Sequence, residues 1–233
     1  MESSMQSVQV QHIRNATAKI KYGHTTFLVD PMLARKVIVS HTHLDHWDAA
    51  AQKQLPKGIP LFAQNESDAQ IIRAQGFTDV RILDEDTVFG GVHLAKTEGQ
   101  HGTDAMYSSH DLAEALGKVM GIVFRAPNMK TVYVAGDTVW GSAVDQTLAK
   151  YSPDVIILNT GDARMEGFSG SIIMAQDDTL HAYRAAPNAT IVAVHMDAIN
   201  HTALSREELR EYVQQKNIQD RVLIPADGET LKF

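Results

Sequence analysis

Short apolar runs separated by polar turns recur along the whole chain. Apolar and polar residues alternate over residues 8–13 and 18–22, a pattern typical of a hairpin of half-buried strands. Continuous or nearly continuous apolar runs, which are typical of buried strands, occupy residues 37–39, 59–63, 80–83, 88–96, 119–125, 131–135, 155–158, 190–194 and 222–225. The pattern therefore predicts a strand-rich chain.

Several of the segments between these runs carry helix signals. Asn65 or Ser67 can cap a helix over residues 68–73. Ser205 and Glu208 form a capping box that opens a helix ending near residue 216. Further helices are predicted directly after residue 46 and at residues 111–118, 146–151 and 177–186.

Both halves of the chain follow the same order of elements. Each half contains a run of strands, then a polar turn and then a helix, although no repeat is visible by identity. This order fits two strand-rich halves packed sheet on sheet with helices outside. No Pro- or Ser-rich linker divides residues 1–233, so we predict a single domain with one substantial core.

Composition and charge narrow the class of protein. Hydrophobic residues make up 44% and charged residues 21%, which is ordinary for a globular protein. The net charge of −7 argues against a nucleic-acid partner, which needs a basic surface to neutralise phosphates. There is no cysteine, so a metal site in this chain must use nitrogen and oxygen donors.

The first residues carry no targeting signal. The segment MESSMQSVQVQHIRNA lacks a basic stretch followed by an apolar one, and no apolar run approaches the length of a membrane span. We therefore expect a cytoplasmic location, no membrane contact and a small-molecule substrate. Formation of a homo-oligomer is left open.

Four metal-competent residues fall within six positions, directly after the predicted strand at residues 37–39. They are His41, His43, Asp45 and His46. Imidazole and carboxylate donors together suit zinc, manganese or iron. One ion cannot easily use all four groups, whereas two ions about 3.5–4 Å apart can share one hydroxide. The alternative, a polar turn with surface histidines, accounts poorly for so dense a cluster.

The segment HTHLDH matches the HxHxDH signature, and the chain here resembles the metallo-β-lactamase-fold hydrolases. That family places further ligands after later strands, and His101, Asp137 and His195 stand in such positions in the family's order. The resemblance extends from about residue 22 to residue 201. It implies an α/β fold, an αββα sandwich of two mixed β-sheets flanked by helices.

The resemblance also implies a dinuclear site. His41, His43 and His101 would hold one ion, Asp45, His46 and His195 the second, and Asp137 would bridge them. The cofactors would be two divalent metal ions, zinc first and manganese or iron as alternatives. A hydroxide bridging the ions would attack the substrate. Asp45 would in addition act catalytically, by orienting the hydroxide or carrying its proton.

Five further residues are candidates for contacting substrate. They are His24 in a segment resembling the family's GH…DP stretch, Tyr107 and His110 beyond His101, Trp140 beyond Asp137, and His201 beyond His195. For each of them an ordinary structural role is the alternative. His201 could instead support the neighbouring ligand. In the same GH…DP stretch, Asp30 could brace the ligand turn, and residues 32–35 form a very short connection before that turn.

The short GHTTFLVDP segment and the ligand Asp137 within GDT look most like the lactonase-like hydrolases, which include the ascorbate-6-phosphate lactonase and N-acyl-phosphatidylethanolamine phospholipase D groups. The segment HMDAINH departs from the ending expected of those groups. We therefore expect hydrolysis of an ester, a lactone or a phosphodiester.

Three alternatives use the same fold. A nucleic-acid-processing phosphodiesterase is disfavoured by the acidic charge. A flavodiiron-like oxidoreductase would have Glu in place of His43. A non-catalytic binding module would lack some of the ligands, all of which are present.

Overall fold

The chain forms two mixed β-sheets in a computed structural model that describes residues 7–30 and 37–233. Numbered along the chain, the strands of the first sheet are β1 (Val8–Arg14), β2 (Thr17–Tyr22), β3 (Thr25–Val29), β4 (Val37–Val39), β5 (Leu61–Ala63), β6 (Val80–Ile82) and β14 (Thr230–Lys232). Those of the second sheet are β7 (Thr87–Phe89), β8 (Val92–Glu98), β9 (Met120–Arg125), β10 (Val132–Val134), β11 (Val155–Asn159), β12 (Thr190–Val194) and β13 (Val222–Leu223).

The two sheets share one topology. Each begins as an antiparallel meander, β1 to β3 in the first sheet and β7 to β10 in the second. Each then continues with parallel strands, β3 to β6 and β10 to β13. Parallel strands bring their carboxyl ends to one edge, where ligand-bearing loops can meet.

Helices cover the outer face of each sheet. They are α1 (Ala49–Gln54) and α2 (Glu66–Ala74) on the first sheet, and α5 (Ser142–Tyr151), α6 (Gln176–Ala185) and α7 (Arg206–Gln215) on the second. Two short helices, α3 (Asp104–Tyr107) and α4 (His110–Leu116), follow β8. The arrangement confirms the predicted αββα sandwich.

The main core lies between the two sheets. Ile20 and Phe27 of the first sheet pack in one cluster with Ile122 and Phe124 of the second. The rings of Phe27 and Phe124 meet edge to face, with centroids 5.3 Å apart. This packing holds the two ligand-bearing edges in a fixed relation.

Local sequence signals explain several element boundaries. The side chain of Asn65 accepts a hydrogen bond from the backbone of Asp68 (2.9 Å) and caps α2. The predicted capping box of Ser205 and Glu208 opens α7.

Other boundaries differ from prediction. Helix α5 starts four residues before the predicted position, α3 was not expected, and β14 pairs with β1 without a strong apolar pattern. The predicted connection at residues 32–35 lies outside the described residues. None of the helices in the described ranges combines the length and apolar character needed to cross a bilayer.

Candidate metal centre

The predicted ligand residues follow the carboxyl ends of strands at one edge of the sandwich. His41 lies two residues after β4, and His101 and Asp137 lie three residues after β8 and β10. His195 comes directly after β12. Strands β8, β10 and β12 point the same way, because β9 is antiparallel to both of its neighbours and the strands from β10 onward are parallel. Their following loops therefore converge.

All seven predicted ligand residues come together in two groups. The first ligand group is His41, His43 and His101, and the second ligand group is Asp45, His46, Asp137 and His195. Within each group, one donor atom from every residue lies within 4.8 Å of the others. Each group could therefore hold one metal ion through nitrogen and oxygen donors.

Asp137 lies between the two groups. Its Oδ2 is 3.0 Å from His46 Nε2 and 3.9 Å from both His41 Nε2 and His101 Nε2. Its Oδ1 is 3.6 Å from His195 Nε2 and accepts a hydrogen bond of 2.6 Å from Asn159. The carboxylate is thus oriented from β11 so that both oxygens face imidazole nitrogens.

Asp30 and Ser40 fix two of the imidazoles. Asp30 accepts hydrogen bonds from His46 Nδ1, Ser40 Oγ and the Ser40 backbone, each 2.8 Å long. Because the Ser40 hydroxyl donates to Asp30, its oxygen accepts from His41 Nδ1 at 3.0 Å. Both rings therefore carry their proton on Nδ1 and direct the Nε2 lone pair into the cluster. Asp30 thus braces the ligand turn, a role that the sequence left open.

Backbone carbonyls fix two further imidazoles. His43 Nε2 lies 3.1 Å from the Ala115 carbonyl, and His101 Nδ1 lies 2.7 Å from the Ile172 carbonyl. A carbonyl only accepts, so each of these nitrogens is the protonated one. His43 then offers Nδ1, and His101 offers Nε2, to the cluster.

The donor set fits a divalent cation. With Nδ1 protonated, His46 Nε2 is an acceptor that lies 3.0 Å from an Asp137 oxygen and 3.1 Å from His195 Nε2. His41 Nε2 is buried without a hydrogen-bond partner among the described residues. Buried lone pairs aimed at one another are unfavourable unless a cation lies between them. The converging donor atoms therefore have the chemical character of a metal site.

The shifts in pKa reflect the same close packing of buried ionisable side chains. Burial, helped by the charge of His46, holds the pKa of His41 well below its usual value, and burial also lowers the pKa of His101. Burial opposes charge on His46 as well, but Asp137 and Asp30 outweigh it and raise the pKa of His46. The pKa of Asp45 is lowered despite its burial, because the imidazoles of His195 and His46 lie beside it, each with Nε2 3.4 Å from Asp45 Oδ2. The carboxylates thus favour positive charge at this point.

The cluster opens to solvent on one side. The side chains of most ligands are at most 4% exposed, whereas that of Asp45 is 21% exposed and His43 is also partly accessible. A cavity of about 580 Å³ lies beside the loops after β8 and β10; its wall includes Gln100 and Thr138, the chain neighbours of His101 and Asp137, but none of the seven ligand residues. This volume is in the range of small-molecule sites.

The predicted substrate contacts are placed unevenly. His24 is exposed in the turn between β2 and β3, at the far end of β3 from Asp30, so the expectation that it lines the cleft is wrong. A five-residue strand separates the two ends by roughly 16 Å. Trp140 lines the cavity and stacks on His181, with ring centroids 4.3 Å apart.

The remaining predicted contacts lie on loops and short helices. Tyr107 donates a hydrogen bond of 2.8 Å to the Gly117 carbonyl and braces α3 against the end of α4. His110 is exposed at the start of α4, and His201 is exposed beyond His195. Their contact with substrate stays a prediction.

Sequence reasoning missed residues that support the ligands. Ser40, Asn159 and Asn15 each bond to a ligand residue, through a side chain or a backbone group. Ser40 and Asn159 stand at the ends of strands next to the cleft, which was the available signal. Gly136 has φ +70, and a Cβ there would lie 2.6 Å from the Met120 carbonyl. Its small size is therefore required by the close approach of β9.

Comparisons with known proteins agree with this geometry. Residues 28–196 match the Beta-lactamase superfamily domain. The chain is 39% identical to UPF0173 protein YddR of Bacillus subtilis (strain 168), over 97% of this chain and 100% of that protein. A possible metal-dependent hydrolase from Veillonella parvula DSM 2008 has a TM-score of 0.93 and 43% identity, covering 96% of this chain and 98% of that one. An isothiocyanate hydrolase from Delia radicum gut bacteria has a TM-score of 0.91 and 41% identity with the same coverages.

The fold and the site therefore define a protein of the metallo-β-lactamase fold. The chain belongs to the β-lactamase superfamily, and within it to the metal-dependent hydrolases.

Proposed function

We propose that the chain is a dinuclear hydrolase with one divalent ion in each ligand group and Asp137 between them. The observation that carries this proposal is the convergence of seven nitrogen and oxygen donors into two adjacent groups. Zinc is the first candidate, and manganese or iron would suit the same donors. Two such ions, when bound, make hydroxide available near neutral pH and stabilise a developing oxyanion.

The residues around the ions would orient the reaction. The imidazoles are held by Asp30, Ser40 and two backbone carbonyls, so little reorganisation is needed. Asp45 is the most exposed side chain of the second ligand group and carries a carboxylate that stays ionised. We assign Asp45 the role of orienting the attacking water or carrying its proton, as the resemblance implies.

The proposed substrate is a small molecule with an electrophilic centre. An ester, a lactone or a phosphodiester meets this requirement, as the sequence led us to expect. A cavity of about 580 Å³ beside the loops that carry His101 and Asp137 would suit a small substrate. The net charge of −7 counts against nucleic acid.

An isothiocyanate is a second candidate substrate, because the Delia radicum bacterial relative at 41% identity is an isothiocyanate hydrolase. The central carbon of the N=C=S group is electrophilic. Addition of one water would form a bond between its oxygen and the central carbon, place both protons on nitrogen and break the bond between nitrogen and the central carbon. The products would be a primary amine and carbonyl sulfide.

The test combines elemental analysis of the purified protein with turnover of a panel: a γ-lactone, an aryl ester, bis(p-nitrophenyl) phosphate and benzyl isothiocyanate. About two equivalents of metal, with turnover that a chelator abolishes and added Zn²⁺ restores, are expected. The preferred panel member decides between carbonyl, phosphorus and heterocumulene chemistry. A protein that takes up no Zn²⁺ or Mn²⁺ would refute the proposal and favour a binding module.

A further inference from the structure

Asn15 connects two ligand loops from a position outside them. It lies in the tight turn between β1 and β2, is 4% exposed, and precedes the residues that match the superfamily. Its side-chain Nδ2 donates a hydrogen bond of 3.1 Å to the carbonyl of Asp45. Its own carbonyl accepts a hydrogen bond of 3.1 Å from the backbone N–H of His195.

These two bonds tie the loop after β4 to the loop after β12. The first loop belongs to one sheet and the second loop to the other. The two loops carry Asp45, His46 and His195, which are three of the four residues of the second ligand group. His41 and His43 of the first ligand group also lie on the loop after β4, but their imidazoles are held by Ser40 and the carbonyl of Ala115, and that of His101 by the carbonyl of Ile172.

The turn itself is well anchored. The Asn15 carbonyl also lies 3.0 Å from Nε2 of the buried His12, which therefore donates to it. The carbonyl of His12 in turn accepts a hydrogen bond of 2.8 Å from Gly228 in the C-terminal turn. His12 and the C-terminal turn thus hold Asn15 in place, so that its own hydrogen bonds can fix the position of the two loops.

The residue type matches this task. Asn15 has φ +54, a left-handed conformation that asparagine tolerates better than most residues. Its amide must direct the NH₂ group at Asp45, since the opposite orientation would bring two oxygens together. His195 has φ +65, a conformation that persists where neighbours fix it, and its backbone N–H is held by Asn15.

We propose that Asn15 is a positioning residue for the second metal ion. It acts through Asp45 and His195 and does not itself touch the ion, and the inference rests on the dinuclear site proposed above. Loosening its two bonds would let the two loops separate and would weaken the second ligand group selectively.

The test replaces Asn15 with glycine. Asn15→Gly keeps the left-handed turn and the backbone carbonyl, and it removes only the bond from the side chain to Asp45. Metal-free protein is titrated with Zn²⁺ against a chromophoric chelator, and the two dissociation constants are compared with those of the wild type. The second constant should rise about 10- to 100-fold, the usual effect of losing an outer partner of a ligand, while the first stays unchanged.

A matched control is Asn128→Gly, because Asn128 also has a positive φ (+59) but lies exposed in the turn between β9 and β10. It should keep both wild-type constants. If Asn15→Gly does not fold, Asn15→Asp keeps the shape of the side chain and replaces the donor with an acceptor. Its two Zn²⁺ dissociation constants then test the same expectation, a weaker second ion and an unchanged first ion. Equal weakening of both ions, or no weakening, would overturn the role of Asn15. A wild-type protein that binds fewer than two ions would instead refute the dinuclear site.

Discussion

Asp137 is the residue on which the proposed centre depends most. Its carboxylate lies within 3.9 Å of histidines from both ligand groups, and Asn159 donates a hydrogen bond that fixes its position. Asp137→Ala should lower metal content by at least one equivalent and reduce turnover by more than the roughly 100-fold that loss of an outer partner causes. Elemental analysis and initial rates measure both effects, and circular dichroism verifies the fold.

The control for this variant is His93→Ala. His93 lies in β8 but its side chain is 44% exposed and pairs with Asp86 at 3.0 Å. Its removal should leave metal content and turnover unchanged. A fully active Asp137→Ala protein would contradict the bridging position, and loss of metal from His93→Ala would show that a ligand had been assigned wrongly.

The ligand residues were predictable because metal-binding side chains are crowded into one short segment and the remaining ones occupy recognisable positions after strands. His41, His43, Asp45 and His46 fall within six positions, and the later ligands directly follow strands. Asn15 gave no such signal, since small polar residues are common in turns for many reasons. His24 was misplaced because its neighbours do not reveal at which end of a hairpin the site lies.

At the scale of elements, a cover beside the first ligand group is built from α3, α4 and the segment 163–173. Met106, Leu116, Ala163, Ile172 and Ile173 form a small buried cluster that joins them. The carbonyls of Ala115 and Ile172, which accept from His43 and His101, belong to this cover. Packing within the cover therefore reaches the ligands through the backbone.

Leu116→Ala tests this coupling. Removing a buried leucine costs about 2–5 kcal/mol of unfolding free energy, and here it should also weaken the first metal ion more than the second. The matched control is Leu55→Ala, which removes an equally buried leucine (both 3% exposed) from the cluster between the first sheet and α1. Urea unfolding and Zn²⁺ titration measure the two effects. If Leu116→Ala and Leu55→Ala bind the first metal ion with equal affinity, the coupling is contradicted.

The elements themselves were predictable to different degrees. Buried strands such as β4, β11 and β12 are runs of apolar branched residues that allow few other structures. The region of α3 and α4 has weaker periodicity, because these helices bury only Met106 and Leu116. They pack against the segment 163–173, which lies far away in sequence.

At the scale of the whole molecule, the centre exists only where the two halves of the chain meet. One sheet supplies the ligand turn after β4 with Asp30 and Asn15, and the other supplies His101, Asp137 and His195. Closing the sandwich therefore buries several titratable groups at once. Metal binding and folding should consequently be linked through protons.

The metal-free protein should become less stable as the pH falls from 6.5 towards 4.5. Burial lowers the pKa of His41 and His101 in the folded state, so the unfolded chain takes up protons near pH 6.5 that the folded chain refuses. Stability then decreases by up to about 1.4 kcal/mol per pH unit for each such group.

Other groups of the centre do not reverse this trend. The raised pKa of His46 gives stability that is fully present below pH 6.5 and is lost only as the pH rises through the folded value. The lowered pKa values of Asp45 and Asp137 give stability that is lost only below the usual carboxylate range. Urea unfolding of chelator-treated protein at pH 6.5, 5.5 and 4.5 measures the slope, and His101→Asn should make it shallower. A stability that is constant or increases on acidification would show that these histidines take up protons freely in the folded protein, and that the cluster is looser than its geometry implies.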